Sequence, residues 1–313
     1  MRVAGTSYTQ SMTGQINLLA ARQLRLQNQA TTGQSIQAPE DDPAGMAQAL
    51  GLQAQNSAAG QYSQNISTLQ NRSALVGSAL QQLKTITDRV NDLATQADSL
   101  SSPEQLQANA SETTQLIQQA VQVLNGKDGD QYLFGGTASG QPPFVAATDA
   151  NGNVTGVTYQ GNTSVTENEV GENSTISVDV PGENNSGSGA RGLVTDSRYG
   201  ADLFGHMISL QNHLLSGNTS AINTVDQPAL SKDDDNILYQ VSSNGSAQSR
   251  LEVAASAVSS QQTGLASSLN TVAGADLTTT LTKLTQAQNA YQIALQSSST
   301  ILQLQTSLLS YLP

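Results

Sequence analysis

The acidic residues of this chain avoid both of its ends. All 24 of them lie between Glu40 and Asp276 in a chain of 313 residues. Residues 1–39 carry only arginine among the charged types, and residues 277–313 carry only Lys283. A helix whose outer face meets water normally carries many charges on that face. If the two ends are helical, they are therefore built to be covered on more than one side.

Apolar residues at both ends recur on alternating steps of three and four positions, which is the spacing of one helix face. The N-terminal series is Met12, Ile16, Leu19, Gln23, Leu26 and Ala30. The C-terminal series is Leu277, Leu281, Leu284, Gln288, Tyr291, Leu295, Ser298, Leu302, Gln305, Leu309 and Leu312. A disordered tail rich in Gln and Ser is the alternative, but such tails rarely keep so regular an apolar period. The two series predict an amphipathic helix at each end.

Three further series of the same period lie between the ends. The longest runs through Leu52, Gln55, Ala59, Tyr62, Ile66, Leu69, Ser73, Val76, Leu80, Leu83, Thr87, Val90, Ala94 and Ala97. The second is Leu106, Ala110, Thr113, Ile117, Ala120 and Leu124, and the third is Leu251, Ala255, Val258, Gln262, Leu265, Leu269 and Val272. The five-residue step from Val272 to Leu277 predicts a break before the last helix.

Helix boundaries are marked by capping residues. Asp42 and Ser102 each precede a proline, which predicts an N-cap followed by proline at the first helical position. Asn125 and the glycine after it predict a helix end. Ser231 with Asp234 fits a capping box, which predicts a helix beginning near residue 231. Asp276 is placed to cap the last helix.

Between Gly135 and Arg198 the helical period disappears. Short alternating runs at residues 154–159, 164–170 and 175–180 predict strands, and Asn151 followed by glycine is a hairpin signal. The glycine- and asparagine-rich stretch 181–192 reads as a mobile loop. A helix is expected to resume near Tyr199.

These patterns together predict a mainly α fold. Its core would be a long coiled-coil rod formed from both chain ends, with a small β-rich domain inserted. We expect residues 1–40 and 277–313 to form a terminal coiled-coil assembly domain. Residues 41–134 and 198–276 would form a helical rod domain, and residues 135–197 the insert.

Composition excludes several classes of function. The net charge of −12 disfavours nucleic acid and anionic membrane surfaces, which attract clustered Lys and Arg. The chain has no cysteine, so it cannot form a disulfide or a thiolate metal site. No run of about 18 apolar residues predicts membrane insertion. The first residues lack the apolar segment of a secretory signal, so an extracellular destination would require export that reads an uncleaved N-terminus.

Candidate catalytic and metal-binding groups are few. His206 and His213 lie two helical turns apart, about 10 Å, which is too far to ligate one metal ion. The acidic stretch 233–235 lacks the alternating ligands and glycine of a calcium loop, and a helix start explains it better. Residues 40–42 favour a capped turn over a carboxylate pair for acid–base catalysis. A secreted enzyme with a cation site at residues 233–235 is the alternative outside the structural class. We expect no enzyme activity and no cofactor.

Two segments near the N-terminus carry a family resemblance. Residues 26–33 read Leu-Gln-Asn-Gln-Ala-Thr-Thr-Gly, and residues 35–45 read Ser-Ile-Gln-Ala-Pro-Glu-Asp-Asp-Pro-Ala-Gly. They resemble the N-terminal signature of the flagellin superfamily, in which an acid pair and a small-residue turn separate the terminal helix from the next helix. Residues 276–312 are similar to the last helix of that family.

Three short motifs favour one branch of the superfamily. Residues 131–137 read Gln-Tyr-Leu-Phe-Gly-Gly-Thr, residues 142–144 Pro-Pro-Phe, and residues 159–162 Tyr-Gln-Gly-Asn. They resemble the hook–filament junction proteins of bacterial flagella, also called the third hook-associated proteins, rather than flagellin. A flagellin-type filament subunit is the alternative within the structural class.

The resemblance implies a structural subunit without signal cleavage, exported by the flagellar type III apparatus from the cytoplasm to the extracellular flagellum. It would form a ring of its own copies between the first hook-associated protein and the flagellin filament. An export chaperone would hold its C-terminal helix before assembly.

The expected mechanism is burial of the two ends on assembly. Gln-rich helices that bury little are marginal alone, so we expect both ends to be largely disordered in the monomer and to order when copies associate. The expected seam between the terminal helices pairs three N-terminal residues with five C-terminal ones: Ile16, Leu19 and Leu26 with Leu284, Tyr291, Leu295, Leu302 and Leu309.

Overall fold

The protein is dominated by long helices from both chain ends, with a β-containing insert between them. A computed structural model describes the backbone of residues 2–310 and the side chains of residues 10–304. The helices are α1 (Arg2–Thr32), α2 (Pro43–Gln96), α3 (Pro103–Leu124), α4 (Leu203–Ser216), the short α5 (Thr219–Ala221), a π-helix (Ile222–Asp226), α6 (Gln227–Ala273) and α7 (Leu277–Ser310). The predicted fold class is confirmed.

Nine short strands lie between α3 and α4 and form four small sheets. They are β1 (Lys127–Asp128), β2 (Gln131–Tyr132), β3 (Phe144–Thr148), β4 (Val154–Tyr159), β5 (Asn168–Gly171), β6 (Ser174–Ile176), β7 (Glu183–Asn184), β8 (Thr195–Asp196) and β9 (Ala201–Asp202). The pairs β1–β2, β3–β4 and β5–β6 are antiparallel. The fourth sheet has the order β7–β8–β9, with β7 and β8 parallel. Strands therefore begin before residue 135 and continue past residue 197.

The chain divides into two compact units, residues 1–59 with 260–313 and residues 60–259. In the second unit one apolar core joins helices and insert. Its members include Val76 of α2, Ile117 of α3, Phe144 of β3, Met207 of α4, and Val194, which directly precedes β8. The insert thus shares its core with the helices around it. The three-part division expected from the sequence stays a proposal.

The sequence series at residues 59–124 mark the buried faces of α2 and α3. From Ile66 to Ala97, every member of the longest series is buried, and its polar members Ser73 and Thr87 are buried as well. The hydroxyl of Ser73 donates to the side chain of Asn244, and that of Thr87 donates to the carbonyl of Leu83. All six members of the second series are buried too. A regular seam therefore tolerates hydroxyl groups whose hydrogen bonds are satisfied.

Most of the predicted helix boundaries are confirmed. Asp42 accepts the backbone N–H groups of residues 44 and 45 at the start of α2. Ser102 and Gln105 form a reciprocal capping box at the start of α3. Asn125 caps the end of α3, and Asp276 accepts N–H groups at the start of α7.

The predicted start near Ser231 is wrong. Gly217, with φ of 67°, ends α4, and the side chain of Asn218 accepts the N–H of Ala221. From there the chain stays helical through the π-helix into α6, so Asp234 lies inside a helix. The helical stretch continues through Pro228, which is the second residue of α6 and comes directly after the π-helix. Asp234 pairs instead with Lys84, at 3.0 Å.

The stretch 181–192 also differs from its prediction as a mobile loop. Asn184 is fully buried, and its amide nitrogen donates to the carbonyl oxygens of Ser188 and Ala190 at 2.7 and 2.6 Å. Arg198 donates to the carbonyl of Gly189 from outside the stretch. A polar side chain at the centre of a polar loop therefore holds it in shape, which composition alone does not reveal.

Within residues 2–310, no helix is both long and apolar enough to span a membrane.

Candidate assembly surface

The terminal unit is built on the pairing of α1 with α7. On α1 the predicted series is the covered face, since its members are buried or half-buried while the positions between them are mostly exposed. Leu26 is buried deepest, with 8% of its surface exposed. On α7 the covered positions on steps of four and three are Thr280, Leu284, Ala287, Tyr291, Ala294, Ser298 and Ile301, and Ala290 beside them is half-buried as well. Two heptad faces therefore meet along the pair.

The structure places only part of the predicted C-terminal seam on this covered face. Leu284 and Tyr291 are on it, together with Ile16 and Leu19 of α1. Leu295 and Leu302 are not, because 44% and 50% of their surfaces are exposed. The side chain of Leu309 lies outside the described residues. The seam uses Ala287 and Ala294 instead, and small side chains at these positions let two helix backbones approach closely.

Leu295 and Leu302 belong to a second apolar line on α7. It runs at seven-residue intervals through Leu281, Gln288, Leu295 and Leu302, each one position after a seam residue, and Leu277 lies on the same side. About half of each leucine surface is exposed. In a two-helix coiled coil these flanking positions usually carry charges. A wider apolar face is typical of a helix packed in a bundle of more than two helices.

Burial of this second line would supply a substantial free energy. Fully burying one leucine side chain is worth about 1.5–3 kcal/mol, so a half-exposed leucine retains about 1 kcal/mol. From Leu284 to the C-terminus there is no charged residue that would oppose contact with another apolar surface. The line (Leu277, Leu281, Leu295 and Leu302) is therefore a candidate assembly surface, and we refer to it as the leucine line.

The ends of α1 and α6 are joined by backbone pairing. Gly33, with φ of 68°, terminates α1. The N–H of Ser35 donates to the carbonyl of Ala273 at 2.7 Å, and the N–H of Ala275 donates to the carbonyl of Gly33 at 2.8 Å. The two helix breaks, although remote in sequence, thus form a short antiparallel bridge between Gln34 and Gly274. We call this the joint.

The acid pair of the N-terminal signature has a structural role at the joint. Asp41 accepts the backbone N–H groups of Gln37 and Ala38 at 3.0 and 3.2 Å, and Arg25 of α1 donates to it at 2.5 Å. The two backbone hydrogen bonds, with Arg25, hold the pKa of the Asp41 carboxyl below its usual value. Its neighbour Asp42 caps α2. The predicted capped turn is confirmed at residues 40–42.

A small apolar cluster seals the joint. Ile36, Ala49 and Ala273 are buried, and side chains of α2 and α6 pack around them. A Cβ on Gly45 would come within 2.6 Å of Ile36 Cδ1 and of Asp42 Oδ2, so a larger residue there would displace both side chains. The small-residue turn of the signature is therefore set by a close approach of α2 to the segment that leaves α1.

The three motifs of the second unit pack against one another. The Tyr159 hydroxyl lies 2.9 Å from the carbonyl oxygen of Phe134 and accepts the N–H of Gly182 at 3.1 Å. Asn162 Oδ1 accepts the N–H of Thr137 at 3.0 Å. Phe144 packs its ring against those of Tyr159 and Phe204. Burial raises the pKa of Tyr159 to about 12. These motifs hold the insert together.

The two histidines connect α4 to the π-helix and to α6 by hydrogen bonds. His206 Nδ1 lies 2.7 Å from Asp233 Oδ2, and His213 Nδ1 lies 2.6 Å from Asp226 Oδ2. Both carboxylates are almost fully buried. The hydrogen bond with Asp233 raises the pKa of His206. The Asp233 carboxylate is therefore already hydrogen-bonded inside the protein. Residues 10–304 contain no cluster of three or more His, Cys, Asp or Glu that could hold a metal ion.

Sequence reasoning missed the joint, and it did not name Ala287 and Ala294 among the seam positions. The seam positions Ala287 and Ala294 had a signal, because they share the heptad spacing of Leu284 and Tyr291. The apolar series counted from the sequence continued instead through Leu295 and Leu302. The pairing of Ser35 with Ala273 had no local signal, since the two residues stand 238 positions apart.

Comparison with known proteins agrees with this architecture. Residues 6–139 match the family described as the bacterial flagellin N-terminal helical region. The match includes α1, the joint segment, α2 and α3, so the resemblance stated for residues 26–45 is confirmed. No curated protein is similar enough in sequence to count as a match.

Solved structures share the fold. A provisionally named flagellar hook-associated protein of Vibrio parahaemolyticus is 18% identical with a TM-score of 0.63, over 74% of this chain and 99% of that one. Xanthomonas campestris FlgL is 21% identical with a TM-score of 0.55, over 69% and 98%. The flagellar hook associated protein-3 of Legionella pneumophila is 14% identical with a TM-score of 0.58, over 71% and 98%. At these identities the likeness establishes the fold.

Proposed function

We propose that this protein is a structural subunit of the bacterial flagellum, forming the layer that joins the hook to the filament. The leucine line carries the proposal. α7 presents apolar residues on a flank that α1 leaves uncovered, and that flank has no charges from residue 284 onwards. Such a helix requires further helices around it, and further copies of the same chain supply them.

The comparisons support the choice of layer. The flagellin family region at residues 6–139 supports a flagellar assembly. The solved structures that share the fold are named as FlgL, as a flagellar junction protein and as hook associated protein-3. A junction layer is therefore favoured over other positions in the flagellum.

The proposed partners follow from that position. The protein would contact other copies of itself in a ring, the first hook-associated protein on one side and flagellin on the other. An export chaperone would bind it in the cytoplasm before the flagellar type III apparatus delivers it outside the cell. The role is structural, without catalysis, cofactor, nucleic acid or membrane insertion.

A deletion strain tests the proposal. Electron microscopy should show hooks without filaments, and flagellin should accumulate in the medium, because filament subunits would have no layer on which to start. Expression of the intact chain should restore attached filaments. Normal filaments in the deletion strain would overturn the proposal.

A filament subunit is the second candidate. It is favoured by one observation, the match of residues 6–139 to the flagellin N-terminal helical region. The two candidates differ in polymerisation. Purified filament subunits extend into long filaments when seeded, whereas a junction subunit adds one layer and stops. Long filaments built from the purified protein alone would establish the second candidate.

A further inference from the structure

An arginine in the second unit lies over two exposed tyrosine rings. The guanidinium carbon of Arg191 is 3.6 Å from the ring centre of Tyr199 and 4.3 Å from that of Tyr239. The two tyrosines expose 50% and 49% of their surfaces. A guanidinium over an aromatic ring is attracted by the negative face of the ring. Both rings are therefore held in place while they face solvent.

The side chain and backbone of Arg191 are themselves held by hydrogen bonds. Its Nε donates to Oδ1 of Asn236 at 2.5 Å. Asn236 is fully buried, and its amide donates to the backbone carbonyls of Gly192 and Leu193. Gln240 donates to the carbonyl of Arg191 at 2.9 Å. Arg191, Tyr199 and Tyr239, which we call the arginine–tyrosine patch, thus form a surface with little side-chain freedom left to lose on binding.

Arg191 differs from its neighbour Arg198 in lacking an acidic partner. Arg198 forms an ion pair with the buried carboxylate of Asp196 at 2.6 Å. Among residues 10–304, no carboxylate lies within ion-pair distance of Arg191. A guanidinium has five N–H donors in a planar fork that matches a carboxylate, and only one is used by Asn236. The patch is therefore complementary to an acidic segment of another molecule.

The same unit offers such a segment elsewhere on its surface. Glu167, Glu169 and Glu172 stand on and beside the β5–β6 hairpin, and all three are exposed. In the described part of the chain none of them forms an ion pair. Asn65 of α2 donates to the backbone carbonyl of Glu169 at 2.9 Å, which ties the hairpin to the helix. The hairpin presents three exposed carboxylates, and the one on Glu167 accepts a hydrogen bond from the Thr175 hydroxyl.

We propose that the arginine–tyrosine patch of one copy binds the acidic β5–β6 hairpin of the neighbouring copy. Two different patches on one chain make a head-to-tail contact, which is the kind that closes a ring of identical subunits. Rigid Arg and Tyr side chains are the types that dominate binding energy at protein interfaces. The proposal rests on the proposed function, because it assigns the side-to-side contact within the junction layer.

Charge reversal tests it in the deletion strain, with attached filaments counted per cell. Arg191→Glu, and separately the pair Glu169→Arg with Glu172→Arg, should each reduce attached filaments at least tenfold. All three changes in one chain should restore them, because both charges of the contact are then exchanged. Arg250→Glu is the matched control, since Arg250 is an exposed arginine of the same unit, and it should retain normal filaments.

Two further measurements keep the outcome decisive. Circular dichroism and the secreted amount of each variant identify misfolding. Arg191→Gln removes the charge without adding an opposite one, and it should also reduce filament attachment. Normal filaments with Arg191→Glu and Arg191→Gln would overturn the proposal. Loss without restoration in the triple variant would assign the patch to a different acidic partner and overturn the hairpin as occupant. Filaments on the strain lacking the protein altogether would instead contradict the proposed function.

Discussion

Ser35 donates its backbone N–H to the carbonyl oxygen of Ala273 at 2.7 Å, and its hydroxyl lies 3.1 Å from the same oxygen. This contact ties the segment leaving α1 to the last residue of α6. The end of α1 and the start of α7 therefore lie at one hydrogen-bonded joint. The joint sets where the leucine line begins, because α7 follows Ala273 after only three residues.

The close approach at Gly45 predicts a specific cost of substitution. Gly45→Ala places a Cβ within 2.6 Å of both Ile36 Cδ1 and Asp42 Oδ2, so we expect a loss of about 1–3 kcal/mol in the free energy of unfolding. Urea titration followed by circular dichroism measures it. Gly51→Ala in the same helix is the control, since its Cβ meets nothing within 4 Å and should stabilise by about 0.5–1 kcal/mol. Equal effects of the two changes would contradict the role of the joint.

The seam and the leucine line should respond differently to a charge. Leu295→Glu adds a carboxylate on the exposed flank, so the free chain should keep its helix content and stability while filament attachment is lost. Ala287→Glu adds one at a seam position with 6% exposure, so it should reduce both the pairing of α1 with α7 and attachment. Circular dichroism of the free protein separates the two. Loss of helix content in both variants would show that Leu295 belongs to the internal seam.

Tyr159 predicts a loss of stability at alkaline pH. The pKa of its phenol is about 12 in the folded protein against 10.0 for an unperturbed tyrosine. Its contribution is therefore complete below pH 10 and declines as the pH rises towards 12, because the unfolded chain ionises first. Tyr159→Phe should cost about 1–3 kcal/mol at pH 7 through unpaired carbonyl and N–H groups.

The measurement is the difference in unfolding free energy between Tyr159→Phe and the natural chain across that pH range. The difference should shrink from pH 10 to pH 12, because every other tyrosine titrates in both proteins. A constant difference would mean that Tyr159 ionises equally easily in the folded and unfolded states.

Limited proteolysis of the free protein should remove the ends first. About half of the surface of each leucine in the leucine line is exposed. The terminal helices therefore bury little apolar surface, and their packing stabilises them weakly. We expect a resistant fragment that retains residues 60–259, in which one apolar core joins helices and strands. Mass spectrometry locates the cleavage sites. Equal protection of residues 10–32 and of the core would contradict an ordering of the ends on assembly.

Local signals determined how much of the fold could be predicted. The periods that mark Ile66 to Ala97 and Leu106 to Leu124 are buried as predicted, because a helix repeats its environment every seven residues. The caps at Asp42, Ser102 and Asp276 depend only on nearby backbone, so they were predictable as well.

Other features could not be predicted from pattern and composition. Ser231 has the sequence pattern of an N-cap, but the chain is already helical there. The helical stretch begins earlier, where Asn218 caps it. Asn184 orders a glycine-rich stretch by bonding to carbonyls four and six residues on, and composition alone suggests flexibility. Leu295 has the spacing of a seam residue, yet the choice between two adjacent lines on α7 depends on the small side chains that face α1. Tertiary contact decided the case of Leu295, whereas the other two depend on side-chain hydrogen bonds that the sequence pattern does not reveal.

Cysteine labelling tests burial of the leucine line most directly, because the natural chain contains no cysteine. Leu295→Cys should react with a maleimide in the free protein and be protected in isolated flagella. Asn151→Cys, at an exposed turn of the β3–β4 hairpin, is the reference and should react in both states. Protection of residue 295 alone, upon assembly, is the result we predict. Labelling of residue 295 in intact flagella to the same extent as in the free protein would contradict the account.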